Sequence, residues 1–196
     1  AFRDRFDRFH YELNFGVSEE NFIQVSCNGS QCELDEGLDA DFQSYIVMRD
    51  FIINNDMTDT QLFNQASQIL DMNSMIENVI MMSFASNNSY ERKFWKARNV
   101  ENDEYADGRW RLSVQDFEAS LSTNTDWLAY LSDISRSRNN AIFANLIVNS
   151  KFKNQFISRF ADVLNTIFRT PYFIDIINET FDEIAPYLLE DINRYP

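Results

Sequence analysis

The chain has 196 residues, 44% of them hydrophobic and 18 of them Phe, which fits one globular domain or one lobe of a larger one and excludes a disordered chain. Four Gly and three Pro favour helices over a many-stranded barrel and leave little room for a glycine-rich phosphate loop; neither a GxGxxG nor a Walker pattern occurs. The formal charge of −14 argues against nucleic acid as a partner, and no apolar run is long enough to span a membrane.

Residues 9–26 alternate weakly and predict one or two strands, through Tyr11, Leu13 and Phe15 and then Phe22, Ile23 and Val25. Residues 27–38 read as a polar, acidic loop that carries both cysteines. Cys27 and Cys32 enclose a Gly-containing turn and could close a short disulfide, which implies an oxidising compartment. A metal pair is the weaker reading, because no second Cys pair and no His lie near, and the lone His10 cannot supply a zinc site. Three N-glycosylation tripeptides occur, at Asn28-Gly29-Ser30, Asn87-Asn88-Ser89 and Asn178-Glu179-Thr180; only a eukaryotic secreted protein would use them. No signal peptide is visible, and the start at Ala1 suggests a mature or trimmed product.

Phe42, Tyr45, Ile46, Met48, Phe51 and Ile52 then recur at helical spacing. Thr58 is placed to cap a short helix ending near Leu70, and Asp71 to cap the next, whose apolar body runs from Met75 to Phe84. The Met-rich stripe of that helix could line a ligand pocket, but core packing is the favoured reading. Residues 91–98 and 109–115 predict two strands of a hairpin over an acidic loop. Arg92, Lys93, Lys96, Arg98, Arg109 and Arg111 crowd this region; they pair with the acids between Glu101 and Glu104 or receive a phosphate, and pairing is favoured.

The segment DGRWRLSVQDFEASL carries the chemistry. Asp107-Gly108 marks a tight turn, after which Trp110, Leu112 and Val114 alternate with Arg109, Arg111, Ser113 and Gln115. If the strand continues, Asp116 and Glu118 share the apolar face, where two desolvated acids need a neutralising partner such as an oxygen-bound Mg²⁺ or Ca²⁺. If it stops at Gln115, Asp116 only caps or turns the chain. A polar connection leads to three helices: one through Ile142, Phe143, Leu146 and Ile147, one capped by Ser150 with a Phe-rich stripe from Phe152 to Phe168, and one starting at Thr170-Pro171 with Ile174, Ile177, Phe181, Ile184 and Leu188. The fold class is α+β: a mostly helical lobe with a central β-hairpin.

Two blocks resemble the CotH family, the spore-coat-protein-H-like secreted kinases. The first is LDMNSMIENVIMMSFASNNSYERKFWKAR followed by DGRWRLSVQDFEASL. It is similar to the family's helix, Asn-x-Asp-Trp segment, strand ending in Trp-Arg, and Asp-Gly-x-Trp-Arg leading to Asp-x-Asp. The second is IFANLIVNSKFKNQFISRFADVLNTIF, where Arg159, Asp162, Asn165, Thr166 and Phe168 occupy the family's places.

The resemblance implies a divergent protein-kinase-like fold, here residues 1–196 as a single C-terminal lobe lacking the nucleotide-clasping N-terminal lobe. It implies ATP with Mg²⁺ or Mn²⁺ as cofactors, a secreted or cell-surface setting such as a spore coat, and a secreted or surface protein as substrate or ligand. In that setting Cys27 and Cys32 are expected to be joined. Asp116 would be a metal ligand, and Glu118 replaces the second Asp of the pair. The catalytic acid is missing: Ser89 stands at its place in one alignment and Ser86 in the other. A hydroxyl cannot take a substrate proton near neutral pH as a carboxylate can. The function expected is that of a CotH-like kinase impaired in phosphoryl transfer; the alternative is a non-catalytic surface-binding module on the same fold.

Overall fold

The computed structural model describes residues 6–87, 91–101, 104–114, 117, 120, 126, 128–129, 133 and 138–194, with side chains described as far as 188 and, in the last stretch, from 140. The chain divides into two compact units, residues 1–153 and 154–196.

The first unit is built on a four-stranded antiparallel sheet in the order β2-β1-β3-β4, with β1 at Phe22–Asn28, β2 at Gln31–Glu36, β3 at Glu91–Ala97 and β4 at Arg111–Ser113. The expected β3–β4 hairpin is present, the strand expected through Phe22, Ile23 and Val25 is β1, and the sheet extends into a segment that was read as loop. Residues 27–38 are not a loop: Cys27 faces Cys32 and Asn28 faces Gln31 across a β1–β2 hairpin. The polar run misled because β2 is an edge strand, where acidic side chains are tolerated and discourage further pairing.

Cys27 and Cys32 form a disulfide. The Tyr45 hydroxyl lies 3.2 Å from Cys27 Sγ, and burial holds that phenol well above its usual range. A Cys27→Ala/Cys32→Ala double variant is expected to lose about 2 kcal/mol, the value for so short a closed loop. Urea unfolding of the oxidised and double-variant proteins checks it; equal midpoints would refute it.

Residues 9–15 were expected as a strand and are helical. Helix α1, Arg8–Phe15, starts where the Asp7 carboxylate accepts from His10 N and ends at Gly16, whose φ of 67° only glycine adopts cheaply. Tyr11 and Phe15 lie one helical turn apart. Tyr11 stacks on Phe22 with ring centroids 4.5 Å apart and also meets Trp95 at 4.5 Å. Leu13, which strand alternation would have buried, is 86% exposed. Helix α1 thereby covers one face of the sheet, joined by Val17, Ala97 and Ala106.

The other face receives α2, Asp39–Asn54. Its Tyr45 packs on Phe94 at 5.0 Å and edge-on to Trp110 at 5.6 Å. Phe94 and Trp95 are neighbours on β3, so they point to opposite faces and serve the two helices separately. Helix α3, Thr60–Ile69, is capped by Asp59 rather than Thr58; the Asp59 carboxylate accepts from Gln61 N and Leu62 N, while Thr58 bonds back to Asp56. Helix α4, Met72–Phe84, starts at Asp71 as expected, and its methionines Met72, Met75 and Met82 are buried core.

Helix α5, Arg138–Leu146, packs beside α2. Helix α6, Ser150–Asn165, is capped by Asn149, not Ser150: Asn149 Oδ1 accepts from Lys151 N and Phe152 N, and its amide donates to Met57 O at 2.7 Å. Phe152 closes this corner against Phe63 and Phe143.

The second unit holds the rest of α6 and α7, Thr170–Arg194. Phe156, Val163 and Phe168 of the expected Phe-rich stripe are buried, whereas Leu164 and Ile167 are exposed. Ile174, Ile177 and Phe181 of α7 are exposed as well.

Candidate functional site

The sheet register brings two strand ends together at one end of the first unit. Lys93 pairs with Ser113, so the start of β3 and the finish of the antiparallel β4 lie side by side. In the sequence, α4 precedes the first of these points and DFEASL follows the second.

Three side chains lock β4 there. Ser74 Oγ on α4 accepts from Leu112 N at 2.8 Å, and Asn78 Nδ2 donates to Ser113 O at 2.9 Å. On the opposite face the Tyr11 hydroxyl shares a hydrogen bond with Ser113 Oγ. Burial is the larger influence on Tyr11 and pushes its phenol up to about 12, despite that bond. Ser74 and Asn78 stand one turn apart among the buried Met75, Ile76 and Val79. That pattern was a legible sign that α4 faces backbone carbonyls rather than only side chains.

Asp71 ties the other end of β4 down. Asp71 N donates to Trp110 O at 2.8 Å and Trp110 N to Ile69 O at 2.9 Å, closing a parallel bridge between Leu70 and Trp110. One carboxylate oxygen of Asp71 caps α4, and the other lies 3.2 Å from Arg109 and 3.3 Å from Arg111.

Among the described residues, Lys93, Arg98, Arg109 and Arg111 of the basic cluster are paired with Asp35, Asp41, Asp71 and Asp107. Arg111 is 4% exposed and buries its guanidinium over the rings of Trp95 and Tyr105. It bonds both carboxylate oxygens of Asp107 at 2.8 and 2.9 Å and the main-chain carbonyls of Tyr105 and Glu104. Arg98 grips Asp41, and Lys93 pairs with Asp35 at 2.9 Å. Lys96 lies over the Trp110 ring at 5.4 Å; burial lowers its ammonium group's pKa, and Asp41 partly restores it. These residues hold the fold, and their pairing leaves Arg111 in particular no freedom to meet a phosphate.

Asp107 reports on that network. Burial pushes its carboxyl up, but the hydrogen bonds from Arg111, from the Arg109 backbone and from the Arg109 side chain outweigh it and hold it at about 2. A carboxylate held below its unfolded value stabilises the fold above roughly pH 4 and loses that contribution as pH falls toward its folded value. Wild type should therefore lose stability from roughly pH 4 down to about 2. Asp107→Asn should be weaker at pH 7 and should flatten this part of the profile. Thermal unfolding across the interval checks it; parallel profiles would sink the assignment.

A family model described as CotH kinase protein matches residues 8–196. The chain belongs to the CotH kinase family. Neither the curated proteins nor the solved structures gave a match. Membership of a kinase family points to ATP and a divalent cation as cofactors.

Of the CotH-type residues, Asp116, Glu118 and Ser89 lie outside the described residues. Ser86 is described. It follows α4 with φ of 46°, the one non-glycine residue with positive φ among the described residues. Ser86 N donates to Ser83 O and Asn87 N to Met82 O, the pattern of a helix ending through a left-handed residue. Ser86 thus closes a helix, and the chain past it leads into β3. In the second CotH block, Asn165 Nδ2 donates to Ala161 O and Thr166 Oγ1 to Asp162 O, so both serve the local backbone of α6. Among the described residues no three His, Cys, Asp or Glu side chains gather as a metal site, and no helix is long and apolar enough to cross a membrane.

Proposed function

We propose that the chain is the cation-binding part of a CotH kinase that handles ATP and acts on hydroxyls of secreted or surface proteins, with phosphoryl transfer impaired. The observation that carries this reading is the Lys93–Ser113 register. It supports a site shared by the residues that follow α4 and those that follow β4, and Asp116 comes three residues after Ser113. Two carboxylates are hard oxygen donors and suit Mg²⁺ or Mn²⁺. When bound, the cation would neutralise charge on the nucleotide phosphates. Asp116 is the primary ligand in this proposal, and Glu118, one methylene longer than the family's Asp, is secondary.

Ser89 is the better match to the missing acid. Ser86 already has a role in ending α4, whereas the Asn87-Asn88-Ser89-Tyr90 run follows the family's Asn-x-Asp-Trp order. A serine there orients an acceptor hydroxyl at best and does not take its proton. This substitution favours a second reading, a surface-binding module that keeps the fold and uses its acidic exterior to engage a partner. The Cys27–Cys32 disulfide supports an oxidising, extracellular setting for either reading.

The test is calorimetry with Mg²⁺ and Mn²⁺, with and without ATP, on wild type and Asp116→Ala, run on the 196-residue chain and on the natural full-length protein. Loss of cation binding in Asp116→Ala supports the proposal. Equal affinity in both proteins would remove Asp116 from the site and leave the binding module as the better account.

A further inference from the structure

We propose that Asn28 is an N-glycan acceptor, and that it is the tripeptide of the three that the folded chain presents for this modification. The sequence holds three acceptor tripeptides, and the structure separates them. Asn87 is 0% exposed, so a sugar on its amide is incompatible with the folded core. Asn178, Glu179 and Thr180 lie inside α7, where the backbone is committed to helical hydrogen bonds and cannot open into the turn an acceptor segment needs. Asn28, Gly29 and Ser30 sit at the tip of the β1–β2 hairpin, and both Asn28 and Ser30 are exposed.

The tip is built for presentation. Gly29 has φ of 60° as the first of two loop residues, the arrangement of a type II′ hairpin turn. A side-chain carbon added at Gly29 would meet nothing within 4 Å, so the space around the turn is open. The Cys27–Cys32 disulfide closes the turn one residue below Asn28 and fixes its direction. The same disulfide needs an oxidising compartment, which is where glycan transfer to such tripeptides takes place.

The co-reactant is an oligosaccharide carried on a lipid pyrophosphate. The Asn28 amide nitrogen bonds to the anomeric carbon of the first sugar. The bond from that carbon to the pyrophosphate oxygen breaks, its electron pair leaves with the lipid pyrophosphate, and the amide proton passes to a base of the transferring enzyme. Asn28 pairs with Glu91 at the start of β3, so the glycan would flank the sheet end where the candidate site lies. The inference does not depend on cation binding or phosphoryl transfer there.

The experiment directs the chain into the secretory pathway of a eukaryotic cell and maps peptides covering residues 22–36 by mass spectrometry. Samples are compared before and after a glycosidase that cleaves the sugar–amide bond and leaves aspartate. Secreted and cell-retained fractions are both mapped, so poor folding of a variant cannot hide the result. Conversion of Asn28 to Asp only after glycosidase is expected in wild type. Ser30→Ala keeps Asn28 and both cysteines and should lose the glycan, while Ser30→Thr should keep it. An unmodified Asn28 in disulfide-bonded wild type would overturn the proposal, as would a glycan on Asn178 with none on Asn28.

Discussion

Replacing Arg111 with alanine is expected to destabilise the first unit by about 3–5 kcal/mol, the usual result of breaking a buried ion pair from one side. Arg111 is 4% exposed and connects Asp107, Asp71 and the main chain at Glu104 and Tyr105. Its loss leaves Asp107 with Arg109 alone, removes one of two arginines from Asp71, and takes the guanidinium donor from the carbonyls of Tyr105 and Glu104. It also opens space beside Trp95 and Tyr105. In a chain of this size the fall in Tm should be roughly 10 °C. A double-mutant cycle with Asp107→Ala separates the pair from the packing: the two losses should be non-additive by at least about 1 kcal/mol. A loss below about 1 kcal/mol in Arg111→Ala alone, the level of an exposed pair, would show that solvent already does the work assigned to this network.

The second large effect is a gain. Ser89→Asp in the natural full-length protein is expected to raise cation-dependent phosphoryl transfer by about 10²–10⁴-fold, the usual contribution of a positioned general base. The assay uses labelled ATP, Mn²⁺ and a generic protein acceptor. Ser86→Asp should give no such gain, because that position ends α4. Adding Asp116→Ala to Ser89→Asp should abolish the gain. If Ser89→Asp leaves transfer at background while ATP and Mn²⁺ still bind, the missing acid is not what limits the reaction, and the non-catalytic reading gains.

How far the sequence could be read depended on the range of the interaction involved. The Asp71 cap, the α2 and α4 stripes and the β3–β4 hairpin were all legible, since each is set by residues within one element or across one loop. Helix α1 was missed because Tyr11, Leu13 and Phe15 satisfy period two, although Asp7 before them and Gly16 after them are ordinary helix ends. Strand β2 was missed because an edge strand has little need of apolar residues, and only Cys32 and Leu34 marked its inner face. Asp107 lies within four residues of Arg109 and Arg111, but the distant partners were beyond reach: Asp41 and Asp71 lie far from Arg98 and Arg111 in the chain and are brought near only by the fold. For the proposed site, the sequence suggested Asp116, Glu118 and Ser89. The structure supplied the register that brings the strand ends flanking them together.

The strand order has a consequence for synthesis. β1 lies between β2, its immediate successor, and β3, which follows only after α2, α3 and α4. The β1–β2 hairpin can close locally within about 1–10 μs. Pairing β1 with β3 must wait for a long intervening loop to close, and β4 can add only after that. While the chain is being made, the nascent protein thus carries a half-built sheet. The inner edge of β1, rich in buried Phe22, Ile23 and Val25, stays open as a template for foreign strands until Ala97 has left the ribosome, and β3 stays open until Ser113 has followed.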